Sequence, residues 1–178
     1  MCCSLSDDEM EEDMFKIGDY VAHYKEGVCQ VVDIGKISLS CSDNEKEYYT
    51  LKPIYDKDGT VYTPVENKKN REVITKQEAE TLIAQLGDIE QLTVTDEKKR
   101  EGLYKEAMLK NQCREWIVII KTSYERKMER LSRGKKVTHV DDRYLGIAEK
   151  FLCGELAVAL EMSREEVKGY LSSQMKGA

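Results

Sequence analysis

No apolar run in this sequence is longer than five residues, as in Trp116 to Ile120, so no segment is expected to span a membrane. Residues 1–13 hold Asp7, Asp8, Glu9, Glu11, Glu12 and Asp13 without one Lys or Arg, the reverse of a signal peptide. A cytoplasmic protein is expected. Histidine is scarce: His23 and His139 lie in different halves of the chain, and neither has the HExxH or CxxC context of a metal ligand. Neither GxxxxGK(S/T) nor GxGxxG occurs, and Gly18, Gly27, Gly35 and Gly59 are spaced as turn residues. The six cysteines, at positions 2, 3, 29, 41, 113 and 153, include no CxxC pair, so reduced thiols are expected. At 178 residues the chain is too short for a barrel enzyme and suits one ordinary domain or two small ones. No catalytic residue, metal ligand or cofactor is assigned, and an enzyme is not expected.

What the sequence does have is charge, unevenly placed. The net charge of -6 divides into 10 Lys and Arg against 20 Asp and Glu in residues 1–90, and 18 against 14 in residues 91–178. Between Lys98 and Lys136 there are 13 basic and 5 acidic residues. Such asymmetry is expected when one half faces a polyanion and the other faces something else. A solvated helical surface laced with i,i+4 ion pairs gives the same count, so charge alone does not decide between them.

Residues 1–13 are expected to be a disordered acidic leader. From Met14 to Ile54 the pattern is strand-like: Tyr20 to Tyr24, a turn at Glu26-Gly27, then Val28 to Ile34, reads as a hairpin with Gly27 supplying a positive φ. A longer polar loop spans Ser38 to Lys46. Tyr48 to Ile54 and Thr60 to Thr63 follow, separated by the turn Asp56-Lys57-Asp58-Gly59 and ended by Pro64. This predicts a small, bent antiparallel sheet of four or five strands. A capping box, Thr75-Lys76-Gln77-Glu78, starts a short helix that stops near Gly87. Beyond it, apart from a strand signal at Leu92 to Thr95, helical periods dominate. Helices are expected over Asp96 to Leu109 and over a stretch with Cys113, Trp116, Ile117, Ile120, Tyr124, Met128 and Leu131 on one face. Two more follow, capped by Thr138 with Asp141 and by Ser163 with Glu166. The fold class is therefore α+β: a β domain over 14–88 with its short helix, then a compact all-α domain over 91–178. Trp116 is assigned to the core by its apolar neighbours. Asp141 and Asp142 at a helix start offset the helix dipole.

Without catalytic signals, binding remains. The sheet offers Lys36, Ile37, Val61, Tyr62 and Thr63 as a protein-binding surface. The helical half offers Lys98, Lys99, Arg100, Lys105, Arg133, Lys135, Lys136 and Arg143, cations at helix starts and in an interhelical loop that reach DNA backbone oxygens. No helix-turn-helix recognition helix or zinc module is evident, so backbone and shape reading is expected in place of base readout.

Met14-Phe15-Lys16-Ile17-Gly18-Asp19-Tyr20-Val21, Gly27 with its Val-rich strand, Tyr49-Thr50-Leu51-Lys52 and Val61-Tyr62-Thr63-Pro64-Val65-Glu66-Asn67 resemble the RNA-polymerase-interacting domain of bacterial CarD and CdnL transcription regulators. Ala148-Glu149-Lys150-Phe151-Leu152-Cys153-Gly154-Glu155-Leu156-Ala157 is similar to the end of that family's helical DNA-binding domain. Transcription-repair coupling factors carry a module like the first. The resemblance implies a Tudor-like sheet docking on a lobe of the RNA polymerase β subunit. It also implies helices touching double-stranded promoter DNA at the upstream edge of the bubble, by backbone and minor groove, to modulate open-complex lifetime. A monomer without cofactor or membrane contact is expected. The chain departs from the family at Tyr62 and Ile37, where some members have basic residues. It departs again near Arg100, where some relatives have a minor-groove tryptophan; an arginine there enters a narrow groove by charge.

Two alternatives stand beside this reading. One is a protein-only adaptor, with the sheet binding one partner and the helices another. The other is a small hydrolase, which requires His23 or His139 beside a thiol.

Overall fold

The computed structural model describes residues 14–38, 45–56 and 58–176. The acidic leader with Cys2 and Cys3, and Cys41 within the longer polar loop, lie outside the described residues. Five strands, β1 Tyr20–His23, β2 Gly27–Lys36, β3 Glu47–Pro53, β4 Val61–Pro64 and β5 Arg71–Glu72, form one antiparallel sheet in the order β4-β3-β2-β1-β5. The β1–β2 hairpin turns where expected, with Gly27 at φ 78°, a conformation glycine adopts without a side-chain clash.

The sheet's core is Val21, Cys29, Val31, Tyr49 and Leu51, with Phe15, Ile34, Val61 and Val65 packed against it. Simple alternation along β2 from Cys29 and Val31 points Asp33 inward. A bulge between Val31 and Asp33 inserts one extra residue and restores an apolar side chain, Ile34, to the core face. A bulge of this kind bends the strand that carries it.

Among the described residues five α-helices follow: α1 Lys76–Ala84, α2 Arg100–Leu109, α3 Cys113–Ser132, α4 His139–Leu160 and α5 Arg164–Lys176. The capping box at Thr75 and the cap at Thr138 form as predicted, and at the start of α5 the Ser163 N–H donates to the Glu166 carboxylate while the Glu166 N–H donates to the Ser163 hydroxyl. Residues 92–95 form no strand: the Leu92 N–H donates to the Thr122 hydroxyl at 2.9 Å, tying the segment to α3 instead of to a sheet edge. Helix α2 starts at Arg100, four residues after the expected start, because the Asp96 carboxylate accepts the Lys98 N–H at 2.9 Å and forms a turn.

Ala79 and Ile83 of α1, with Leu86 and Ile89, belong to the apolar cluster built by α2 to α5, not to that of the sheet. Trp116 sits in that cluster, fully buried, with its ring edge-to-face against Phe151 at 5.6 Å. No helix among the described residues is long and apolar enough to cross a membrane.

The face named for α3 is not buried along its whole length. Tyr124, Met128 and Leu131 continue the spacing of Cys113, Trp116 and Ile120, yet they are exposed. Beyond Ser123 the contact with neighbouring segments passes to Arg126 and Lys127, whose partners are Glu97, Asp141 and Asp142. Ion pairing replaces apolar packing there, and the apolar stripe is left facing outward.

Candidate functional site

β4 pairs with β3 along one side, from Tyr48 opposite Pro64 to Leu51 opposite Val61. On its other side no strand pairs with it among the described residues, so β4 is a free edge. Tyr62 is 46% exposed, while Thr63 is only 2% exposed. The Thr63 hydroxyl accepts from the side-chain amides of Asn67 at 3.1 Å and Asn70 at 3.2 Å. Thr63, named above as a contact residue, therefore braces the edge from inside. Val61 is half-buried against the sheet core. Lys36 is exposed at the end of β2, opposite Glu47, at the same end of the sheet as Pro64, and Ile37 beside it is half-buried.

The cationic candidates fall into three groups. Arg100 is 6% exposed, its guanidinium in ion pairs with Asp141 at 3.2 Å and with Glu97 and within 3.4 Å of the Thr138 hydroxyl. It is a buried partner of a carboxylate and cannot enter a DNA groove. Lys105 pairs with Glu101 at 3.3 Å, Arg133 with Glu129 at 2.7 Å, and Arg143 lies 3.8 Å from Glu101 and over the Tyr144 ring. Lys98, Lys99, Lys135 and Lys136 are exposed and have no ion pair among the described residues. They lie on two separate segments, just before α2 and in the α3–α4 loop.

Asp141 draws those segments together. Fully buried at the first turn of α4, it accepts from the Tyr104 hydroxyl at 2.9 Å and the Thr138 hydroxyl at 2.6 Å, and faces Arg100 and Arg126 as ion pairs. Burial, reinforced by the Asp141 charge, pushes the Tyr104 phenol well above its usual range, so it stays a donor. Sequence reasoning placed Asp141 in a cap and missed this network. Its one legible signal was the i,i+3 pairing of Thr138 with Asp141; the arginines arrive from two other helices.

A second buried carboxylate, Glu155, joins the helices to the sheet. Arg71 of β5 donates to both its oxygens, at 2.5 and 2.8 Å, and the Ile74 N–H adds a third bond at 3.0 Å. Nothing in the sequence pairs these two residues, which are 84 positions apart.

His23 is buried and its Nδ1 accepts the backbone N–H groups of Lys25 and Glu26. Burial pushes the Cys29 thiol up to about 12, and also raises Cys113 and Cys153, so these three are protonated thiols. No group of three or more metal-ligating side chains occurs among the described residues.

Residues 15–76 match the family described as the CarD-like/TRCF RID domain. This chain carries a CarD-like RID domain. RID domains are non-catalytic modules that interact with the RNA polymerase β subunit, consistent with a transcription-related role. The matched RID span takes in all five strands and ends at the first residue of α1, where packing passes from the sheet's core to that of the helices. No curated protein matches the chain.

Proposed function

We propose that this protein is a cytoplasmic transcription regulator that bridges the RNA polymerase β subunit and promoter DNA, acting as a monomer without a cofactor. Its units are 14–88, whose α1 is seated on the helices, and 91–178. The free edge of β4 with exposed Tyr62 supports the first contact, because an unpaired strand edge offers backbone donors and acceptors to a strand of the partner. Lys36, Ile37 and Val61 flank it. The observation that carries the DNA contact is the set of four unpaired lysines, Lys98, Lys99, Lys135 and Lys136, on segments held by one buried carboxylate. Lys105, Arg133 and Arg143 stand around them, partly neutralised.

Each lysine that meets a phosphate releases counterions, so the contact is weak and salt-sensitive alone. Joined in one chain, two weak contacts act at high effective concentration once polymerase sits on the promoter. If they are stronger in the open than in the closed complex, they extend open-complex lifetime.

The test is a titration of the full chain onto a polymerase–promoter complex. Tyr62→Glu is expected to abolish capture of polymerase while leaving DNA affinity intact. Lys135→Glu with Lys136→Glu is expected to do the reverse. A chain that binds neither partner alone, or loses both with either variant, overturns the reading.

The exposed stripe of Tyr124, Met128 and Leu131 favours a second reading, the protein-only adaptor, since apolar side chains in such a row suit another protein better than a phosphate backbone. In that case the helical half ignores DNA, and Met128→Gln with Leu131→Gln abolishes its binding.

A further inference from the structure

Asp141 and Glu155 are both fully buried and stand 14 residues apart on α4. Fourteen residues are close to four helical turns, so the two carboxylates share one face, separated by about 21 Å along the axis. Each serves a different body. Asp141 holds the segments bearing the four unpaired lysines, through Arg100, Tyr104 and Thr138. Glu155 holds the sheet, through Arg71 and the Ile74 N–H.

The Glu155 end is reinforced. Arg71 Nε donates to the Asn111 carbonyl, and the Asn111 side chain donates back to the carbonyls of Ala22 at 2.8 Å and Lys69 at 3.0 Å. Asn111 does this with φ 52°, a left-handed conformation that asparagine tolerates better than most residues. Tyr55 donates to the Gly154 carbonyl at 3.2 Å, and the Phe151 ring lies 3.4 Å from where a side chain on Gly27 would begin. These contacts join the sheet and its loops to the helices and the α2–α3 connection.

A buried ion pair adds little net stability compared with apolar residues of the same shape, but two parallel hydrogen bonds fix direction in a way apolar contact does not. We propose that Arg71 and Glu155 are positioning residues which, with Asp141, make α4 a fixed spacer between the β4 edge and the lysine surface. This rests on the bridging reading above and deepens it. A flexible tether accepts many paths of DNA relative to polymerase, whereas a stiff one engages both partners only at a set separation and angle. Stiffness is then what lets the protein favour one promoter state over another.

The test compares the full chain with Arg71→Leu/Glu155→Leu, an apolar pair chosen to keep the interior filled, and with Glu155→Gln in case the first does not fold. Spin labels introduced as noncanonical amino acids at exposed Lys52 and Ser132 report the distance between the two bodies. The wild-type chain should give one narrow distance and the variants a broadened or displaced one. Affinity for the combined polymerase–DNA complex should fall about tenfold or more, with affinity for each partner alone changed less than about twofold. Folded variants whose distance is neither broadened nor displaced overturn the inference, as does a combined affinity that falls no further than the separate ones. Absence of either separate affinity in the wild-type chain overturns the bridging reading instead, and takes the functional half of the inference with it.

Discussion

Tyr104 donates its hydroxyl hydrogen to Asp141 across 2.9 Å, and both side chains are fully buried. The same carboxylate faces Arg100, also buried, and Arg126. Removing the anion leaves a buried guanidinium with only Glu97 as a charged partner and the Thr138 hydroxyl beside it, so Asp141→Ala should cost about 3–5 kcal/mol, as expected for breaking a buried pair. Tyr104→Phe removes one hydrogen bond to a charged group while the arginines keep their partner, and should cost about 1.5–3 kcal/mol. Urea denaturation of the two variants checks the order.

Arg100 and the lysine pair should separate cleanly. Arg100→Gln should lower the melting temperature, because it strips a buried partner from Asp141. Lys135→Gln with Lys136→Gln should leave melting unchanged and reduce the slope of log affinity for duplex DNA against log salt by about 0.9 per lost phosphate contact. Fluorescence anisotropy from low to moderate salt measures the slope. An unchanged slope would remove these lysines from the interface.

Thr63 and Tyr62, adjacent on β4, should behave as opposites. Thr63→Val leaves the amides of Asn67 and Asn70 without their acceptor, and the loss of a buried acceptor costs about 1–3 kcal/mol. Tyr62→Glu changes an exposed side chain and should alter stability by less than about 0.5 kcal/mol. Thermal melts of both, alongside polymerase capture, distinguish a brace from a contact.

Acid should weaken the fold first through His23. Burial holds its imidazole below the usual 6.5, so the unfolded chain binds the proton more readily than the folded one. Stability from this group is complete above about pH 6.5 and is lost as pH falls through the lowered value. Glu78 and Glu166, held below the ordinary carboxylate range by the backbone N–H groups of Thr75 and Ser163, lose their contribution only below about pH 4.5. His23→Gln should therefore flatten the stability profile in the higher window and leave the lower one unchanged, as denaturant midpoints at stepped pH would show.

Much of this molecule was legible along the chain. The Gly27 turn, the strand runs, the caps at Thr75, Thr138 and Ser163 and the burial of Trp116 all depend on a residue and its near neighbours, through φ preferences, side-chain hydrogen bonds to nearby N–H groups and helical periodicity. The bulge in β2 was not legible, because register is chosen by which alternation fills the core, and that depends on β3. The misplaced stripe on α3 has a similar origin. Period puts Tyr124, Met128 and Leu131 on one face with Trp116, but which residues meet a neighbour is settled by the neighbouring segments, whose acids pair with Arg126 and Lys127 instead.

The candidate site divides in the same way. Sequence by itself determined that the helical half is cationic, that β4 ends at a proline and that no catalytic motif is present, because composition and spacing suffice for these. Only the tertiary structure decided which cations are free. Arg100 and Lys99 are neighbours with the same charge, yet one is buried against Asp141 and the other open to solvent. Attraction between charges depends on distance and burial, and those are set by helices that meet from positions far apart in the chain.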